Sequence, residues 1–131
     1  MKLYAYLDAK TEYERLERQI EEIETRIQGL GVDYSKVKIK TTPNNDKIAD
    51  NIDELNKLHK EAELKMQEQV KTMQAVLKAI DSVEDATKRD ILQRRYIEGE
   101  SWESIAVEKN YSWRHIQRLH AEAKELIKGG E

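Results

Sequence analysis

Apolar residues in the first third of the chain recur at alternating spacings of three and four residues. The series starts at Tyr6 and ends at Leu30, and most residues between its members are Glu, Arg, Gln or Lys. A narrow apolar stripe on an otherwise polar helix is typical of a coiled-coil seam. We therefore predict a helix over about residues 5–30, with Gly29 and Gly31 at its C-terminal end.

A second stripe with the same period runs from Ile48 to Ile80 and predicts a second helix over about residues 46–80. Residues 32–45 lose this period and include a turn-like run of Thr, Pro and Asn, which indicates a connection. Two helices joined in this way fold back on each other as an antiparallel hairpin, or their stripes pair between chains. Either arrangement buries the same two seams.

Two polar residues, His59 and Gln69, interrupt the second stripe. Polar residues on a seam set the register or the oligomeric state, or they mark a splayed and solvated part of the seam. No second His and no carboxylate pair at ligand spacing accompanies His59 on its face of the helix. We therefore predict no metal site in this protein.

The heptad pattern breaks at residues 81–85, where Ser82 is the expected N-cap of a new helix. Three shorter helical segments are predicted beyond this point, at about residues 84–98, 102–109 and 113–128. The change from two long seams to three short helices predicts a second domain of a different kind.

The segment that joins the last two helices meets the steric requirements of a helix-turn-helix. Ala106 is small where two steeply crossing helices approach, Asn110 tolerates a left-handed backbone, and Ser112 caps the second helix. The predicted fold class is all-α, with a long antiparallel helical hairpin in residues 1–81 and a small helix-turn-helix domain in residues 82–131. An ordinary three-helix cap on a coiled coil is the alternative.

One side of the last predicted helix carries side chains of the types that read DNA bases. Ile116 and Leu119 lie on the opposite side, where they face the preceding helix. Arg bonds a guanine edge with two hydrogen bonds, Gln bonds an adenine edge, and a small Ala allows contact with a thymine methyl group. The candidate base-reading residues are Arg114, Gln117, Arg118 and Ala121 on this side, together with Trp113 on the flank between this side and the core. A solvated basic face is the alternative interpretation.

Phosphate contacts are expected from the cations on either side of this face and from a helix start. The candidates are Lys88, Arg89, Arg94, Arg95, Ser112, Lys124 and Lys128. Residues 84–131 nevertheless hold nine Lys and Arg against ten Asp and Glu. A single copy should therefore bind DNA weakly and with a strong salt dependence, which favours a homodimer formed through the hairpin or help from another DNA-bound protein.

Composition narrows the class of protein further. Of 131 residues, 38% are hydrophobic and 37% are charged, the net charge is −3, and Cys is absent. This balance is typical of long solvated helices, and no apolar run approaches the ~20 residues that a membrane span needs. There is no glycine-rich phosphate loop and no Ser/His/Asp or His-Glu-x-x-His pattern. We expect a cytoplasmic protein that is not an enzyme, has no cofactor and does not bind a membrane.

Four runs in the C-terminal third resemble the helix-turn-helix of sigma-70 region 4. These runs are Ile91–Tyr96, Gly99–Ala106, Tyr111–His120 and Ala123–Leu126. Together with the helical N-terminal part, the chain resembles the RinA/ArpU-type late transcriptional regulators of phages and prophages in Gram-positive bacteria. The resemblance implies a DNA-binding regulator of phage late genes that works with host RNA polymerase.

The same resemblance assigns promoter reading to the residues just after the cap, which here are Trp113, Arg114, Gln117 and Arg118. Lys109 stands where that family usually has an apolar residue and Asn110 where it often has Gly, so we expect a looser or differently packed turn. Trp113-Arg114 replaces the family's usual Arg-Glu pair, so its promoter sequence is not transferred. Two other functions remain open from the sequence. One is a DNA-packaging protein of the small-terminase kind, and the other is a coiled-coil adaptor that binds RNA polymerase without reading DNA.

Overall fold

The computed structural model of the protein describes residues 2–29 and 45–129. These residues form five α-helices and, within the described ranges, no strand. The helices are α1 (Ala5–Gly29), α2 (Asn45–Asp81), α3 (Ala86–Tyr96), α4 (Trp102–Lys109) and α5 (Trp113–Gly129). The predicted all-α class is confirmed. The predicted connection over residues 32–45 lies outside the described residues, except for Asn45, which begins α2.

The bounds of α1, α2, α4 and α5 agree with the predicted bounds to within one residue at each end. Agreement is close because these helices carry strong local signals, namely a heptad stripe in the first two and a capping Ser in the last two. None of the described helices has an apolar stretch long enough to cross a membrane.

Helix α3 is shorter than predicted, and Ser82 is not its cap. Ser82 lies just past the end of α2, where its hydroxyl donates a hydrogen bond of 2.6 Å to the carbonyl oxygen of Ala79. Asp85 caps α3 instead, because its carboxylate accepts a hydrogen bond of 3.0 Å from the backbone N–H of Lys88. The pKa of Asp85 is lowered chiefly by this same hydrogen bond. Gly99, with a positive φ of 74°, follows the end of α3.

The chain divides into two compact units, and α1 and α2 contribute to both of them. The first, which we call the C-terminal unit, comprises Met1–Ala9 and Glu68–Glu131, and the second, the two-helix unit, comprises Lys10–Gln67. These limits fall inside the two long helices, whereas the division predicted at residue 81 follows a helix end. That predicted domain boundary stays a prediction.

A small apolar cluster joins the two helices of the two-helix unit. Ile23 and Ile27 of α1 and Leu55 of α2 are buried in it, and Ile20, Ile52 and Leu58 pack around them. All three buried residues belong to the predicted stripes, since burying apolar surface is what selects the face of each helix. The seam interruption at His59 is wet, because 53% of its side chain is exposed.

The C-terminal unit has two apolar clusters. The smaller one consists of Ile91, Ile105 and Ile116, which come from α3, α4 and α5 and are fully buried. The larger one joins the start of α1 and the end of α2 to α3 and α5. Its buried members are Tyr6, Val76, Ile80, Val83, Leu92, Tyr96, Ala123 and Ile127. The three short helices are therefore fixed relative to one another by side chains from each of them.

Candidate nucleic-acid interface

The turn between α4 and α5 determines how the exposed face of α5 is presented. Asn110 ends α4 in the left-handed conformation, with φ 59° and ψ 40°. The N–H of Tyr111 then donates a hydrogen bond of 3.0 Å to the carbonyl oxygen of Ala106. The hydroxyl of Ser112 accepts a hydrogen bond of 3.1 Å from the N–H of His115. The left-handed residue and the capping serine stand where the sequence places them.

Lys109, which departs from the sigma-like pattern, has an ionic partner in place of an apolar one. Its ammonium group forms an ion pair with Asp90 of α3. The last turn of α4 is therefore anchored to α3 by charge, while Ile105 anchors the same helix by burial. This pairing accounts physically for a lysine in a position that faces the neighbouring helix.

The inner face of α5 is apolar and closed. Ile116, Ala123 and Ile127 are buried, and Leu119 packs against the cluster that contains Ile105. His115 lies at the margin of this face, where its ring stacks on that of Tyr111 at 4.6 Å. Burial of these residues fixes the rotation of α5 about its own axis, so Arg114, Arg118 and Ala121 face outward.

Four of the five candidate base-reading residues are exposed on α5: Trp113, Arg114, Arg118 and Ala121. Trp113 is 54% exposed, which is high for so large an apolar ring. Arg118 lies 3.9 Å from the carboxylate of Glu122, one turn further along. The structure therefore brings an aromatic ring, two arginines and a small residue onto one open helical face.

Gln117 is placed differently from the other four. Its side chain is partly buried, and its amide nitrogen is buried without a hydrogen-bond partner among the described residues. A buried amide N–H₂ without a partner is unfavourable. Gln117 is therefore not exposed together with the other four candidates.

The candidate phosphate contacts on α3 are engaged within the chain. Lys88 pairs with Glu122 at 3.1 Å, and Arg89 donates a hydrogen bond of 2.9 Å to the carbonyl oxygen of Val83. Lys124 is exposed on α5, and the side chain of Lys128 lies outside the described part of the structure. The hydroxyl of Ser112 is used as a helix cap.

Arg94 is surrounded by three carboxylates in an arrangement that the sequence reading missed. It pairs with Asp90 at 3.0 Å, with Glu100 at 3.5 Å, and with Glu108 of α4. Burial alone would raise the pKa of Asp90, but hydrogen bonds from Lys109 and Arg94 lower it. The hydrogen bond to Asp90 likewise raises the pKa of Arg94. The spacing of four residues between Asp90 and Arg94 was the one local signal for this network.

Arg95 is held by aromatic rings and by the backbone. Its guanidinium lies 4.8 Å from the ring centre of Trp102 and 5.6 Å from that of Tyr4, and it donates 3.0 Å to the carbonyl oxygen of Glu100. The attraction between a cation and an aromatic ring stabilises the guanidinium of Arg95 in this position. Arg95 therefore acts first as a structural link between α3 and its neighbours.

Among the described residues, no group of three or more His, Asp or Glu side chains is placed to hold a metal ion. Comparisons of the chain with protein-family models, with curated proteins and with solved structures found no match. The resemblance to sigma-70 region 4 and to RinA/ArpU-type regulators stays a prediction. The candidate interface therefore rests on the geometry and chemistry of α4, α5 and the turn between them.

Proposed function

We propose that the protein is a sequence-specific DNA-binding transcriptional regulator of a phage or prophage, acting in the cytoplasm of a bacterial host cell. In this proposal α4 and α5 form a helix-turn-helix, and α5 is the recognition helix that enters the major groove. The observation that supports it most strongly is the open face of α5, where Trp113, Arg114, Arg118 and Ala121 are exposed together. The closed inner face of the same helix fixes this orientation.

Each exposed residue has a role that suits its chemistry. Arg114 and Arg118 lie one turn apart, so two guanidinium groups could reach adjacent base pairs in the groove. Ala121 continues the same line and allows close approach of the helix to a thymine methyl group. Trp113 at the first turn is placed to pack on the sugar-phosphate edge or on a base.

The proposal includes a dimer formed through a hairpin of α1 and α2. Two polar contacts support an antiparallel hairpin, because they run in opposite directions along the two helices. The carboxylate of Glu24 lies 4.0 Å from His59. Arg26 follows Glu24 by two residues on α1, and it donates a hydrogen bond of 3.4 Å to Asn51, which precedes His59 by eight residues on α2. A dimer would double the number of phosphate contacts, which matters for a domain that has few uncommitted cations. Host RNA polymerase is the second proposed partner.

The experiment is a binding titration of the full chain on duplex fragments of its neighbouring genomic DNA at two salt concentrations. Arg114→Ala/Arg118→Ala should abolish site preference, since a bidentate Arg–guanine contact contributes about 1–3 kcal/mol of discrimination. Arg15→Ala/Arg18→Ala is the matched control, because it removes two exposed arginines from α1. Equal binding by the wild type and by both variants would contradict the proposal.

A coiled-coil adaptor that does not read DNA is the second candidate. It is favoured by the intrachain partners of Lys88, Arg89, Arg94 and Arg95, which leave α3 with little positive charge to offer to phosphates. The same titration separates the two functions. An adaptor would show feeble binding without site preference, and Arg114→Ala/Arg118→Ala would not change it.

A further inference from the structure

A groove lies between α1 and α2 within the two-helix unit, at the level where His59 interrupts the seam. On one side of it, Ile23, Ile27 and Leu55 close the seam completely. Along the groove, Ala62 is buried and has only a methyl side chain, while 53% of the His59 side chain is exposed.

The floor of the groove is apolar. It is made by Ile20, which is partly buried, by Ala62, which is buried, and by Met66, which is 39% exposed. Met is flexible and polarisable, and it adapts to differently shaped apolar partners. An apolar strip of this kind between two helices is the surface that a third helix covers in a bundle.

The rim of the groove is acidic. Glu17, Glu21 and Glu24 of α1 and Glu63 of α2 line it, and the described lining residues include no Lys or Arg. The hydroxyl of Tyr13 is hydrogen-bonded to Glu17, which raises the pKa of Tyr13. Four carboxylates around an apolar strip select an occupant with positive charges on both sides of an apolar ridge.

We propose that this groove binds a basic amphipathic helix of a partner protein, with its apolar ridge on Ile20, Ala62 and Met66 and its Lys or Arg residues against the glutamates. The lining residues of α1 span Tyr13 to Glu24, about 16 Å, which matches roughly three turns of a bound helix. The ridge would then consist of apolar residues at helical spacings of three and four.

A second copy of this chain is a poorer occupant than a foreign basic helix. In a two-fold symmetric pairing through the groove, the same acidic patch of each copy would face that of the other, so glutamates would stand opposite glutamates. The proposed binding site lies in the two-helix unit and uses none of the residues of α5. It therefore goes beyond the proposal that α5 reads DNA, and it leaves the proposed dimer to surfaces of α1 and α2 outside the groove.

The test measures fluorescence anisotropy of the full chain with two labelled synthetic peptides of about 15 residues. Both peptides carry Leu on one helical face, and the remaining positions are Lys in one peptide and Glu in the other. The Lys peptide should bind at least about tenfold more tightly than the Glu peptide, and its binding should weaken as salt is raised. Equal affinity for the two peptides, or no binding of the Lys peptide, would overturn the proposal.

Two variants locate the binding on the protein. Glu17→Gln/Glu21→Gln should weaken binding of the Lys peptide about three- to tenfold, because two rim charges are lost. Glu14→Gln/Glu22→Gln removes two exposed glutamates of α1 that do not line the groove, and it should leave binding unchanged. Equal loss in both variants would show general attraction to an acidic helix and would overturn the assignment of the groove.

The apolar floor and self-association are tested in the same series. Met66→Asn should weaken Lys-peptide binding while the helical circular dichroism of the chain stays unchanged, because this side chain is 39% exposed and belongs to none of the buried apolar clusters. If Met66→Asn instead turns a dimer into a monomer in sedimentation, the groove is an interface between copies of this chain, and the proposal of a foreign helix is wrong.

Discussion

The hydroxyl of Tyr96 and Nε2 of His120 share a hydrogen bond of 2.6 Å, which joins α3 to α5 inside the C-terminal unit. Tyr96 is buried, and the ring centre of Trp102 lies 4.4 Å from that of His120. Since Trp102 belongs to α4, the imidazole of His120 contacts both α3 and α4. Burial, reinforced by the nearby positive charges of Lys124 and Arg95, lowers the pKa of His120 to about 4. The imidazole is therefore neutral at neutral pH.

This pKa makes the stability of the C-terminal unit dependent on pH. In the unfolded chain His120 titrates near 6.5, so between pH 6.5 and 4 the unfolded state binds more protons than the folded state. The stabilising contribution is complete above pH 6.5 and is lost as pH falls toward 4. We expect a loss of about 1–2 kcal/mol, which is less than the full shift would give because the ring is partly exposed.

The measurement is urea denaturation at pH 7.5 and pH 5 for the wild type and for His120→Gln. Carboxylates also titrate in acid, so the informative quantity is the difference between the two proteins. The wild type should lose more stability on acidification than His120→Gln does. An equal loss of stability in both proteins would show that protonation of His120 does not contribute to the pH dependence.

The cluster of three isoleucines should dominate the packing of α3, α4 and α5. Ile116→Ala should lower the free energy of unfolding by about 2–5 kcal/mol, because it leaves a cavity among fully buried side chains. Ile116→Val should cost about 0.5–1.5 kcal/mol. Val107→Ala on α4 is the control, since Val107 is 79% exposed and its truncation should change stability by less than about 0.5 kcal/mol.

Substitutions of Asn110, the left-handed residue of the turn, distinguish backbone effects from side-chain effects. Asn110→Ala should destabilise the chain by about 1 kcal/mol, because a Cβ without a local hydrogen-bonding group disfavours a φ of 59°. Asn110→Gly should be neutral or stabilising, since Gly adopts this region freely. Thermal unfolding of the two variants decides the matter. If Gly destabilises as much as Ala, the side chain of Asn110 matters and not its backbone conformation.

The ion pairs of Asp90 should stabilise the contact between α3 and α4. Asp90→Asn removes the partner of Lys109 and one of the three carboxylate partners of Arg94, and it should cost about 1 kcal/mol at low salt and less at high salt. Asp81→Asn at the exposed end of α2 is the matched control. A double-mutant cycle with Lys109→Met should give a coupling energy above zero. A coupling energy of zero would mean that the ion pair between Asp90 and Lys109 does not contribute to stability.

The helices could be predicted from the sequence because their signals are local. The stripes from Tyr6 to Leu30 and from Ile48 to Ile80 repeat every few residues, and Ser101 and Ser112 cap the next helices with hydrogen bonds to residues three positions on. The start of α3 was predicted wrongly because Ser82 and Asp85 are both good caps by composition. In the structure the Ser82 hydroxyl is bonded back to Ala79 of α2, Val83 is buried, and Asp85 forms the capping hydrogen bond.

Of the candidate site, only the part that lies on α5 could be predicted from the sequence. The exposure of Arg114 and Arg118 follows from the period of α5 alone. The neutralised state of Arg94 depends on Glu108, fourteen residues away, and the position of Arg95 depends on Tyr4 at the other end of the chain. Contacts between such distant residues leave no periodic trace in one sequence.

The central claim is that α5 reads DNA sequence, and selection of binding sites from a pool of random duplexes tests it most directly. The full chain should enrich a defined motif, and Arg118→Ala should enrich a motif that is relaxed at one position while the rest is retained. Arg18→Ala on α1 should enrich the wild-type motif. A pool that stays random after selection with the wild-type chain would contradict the account.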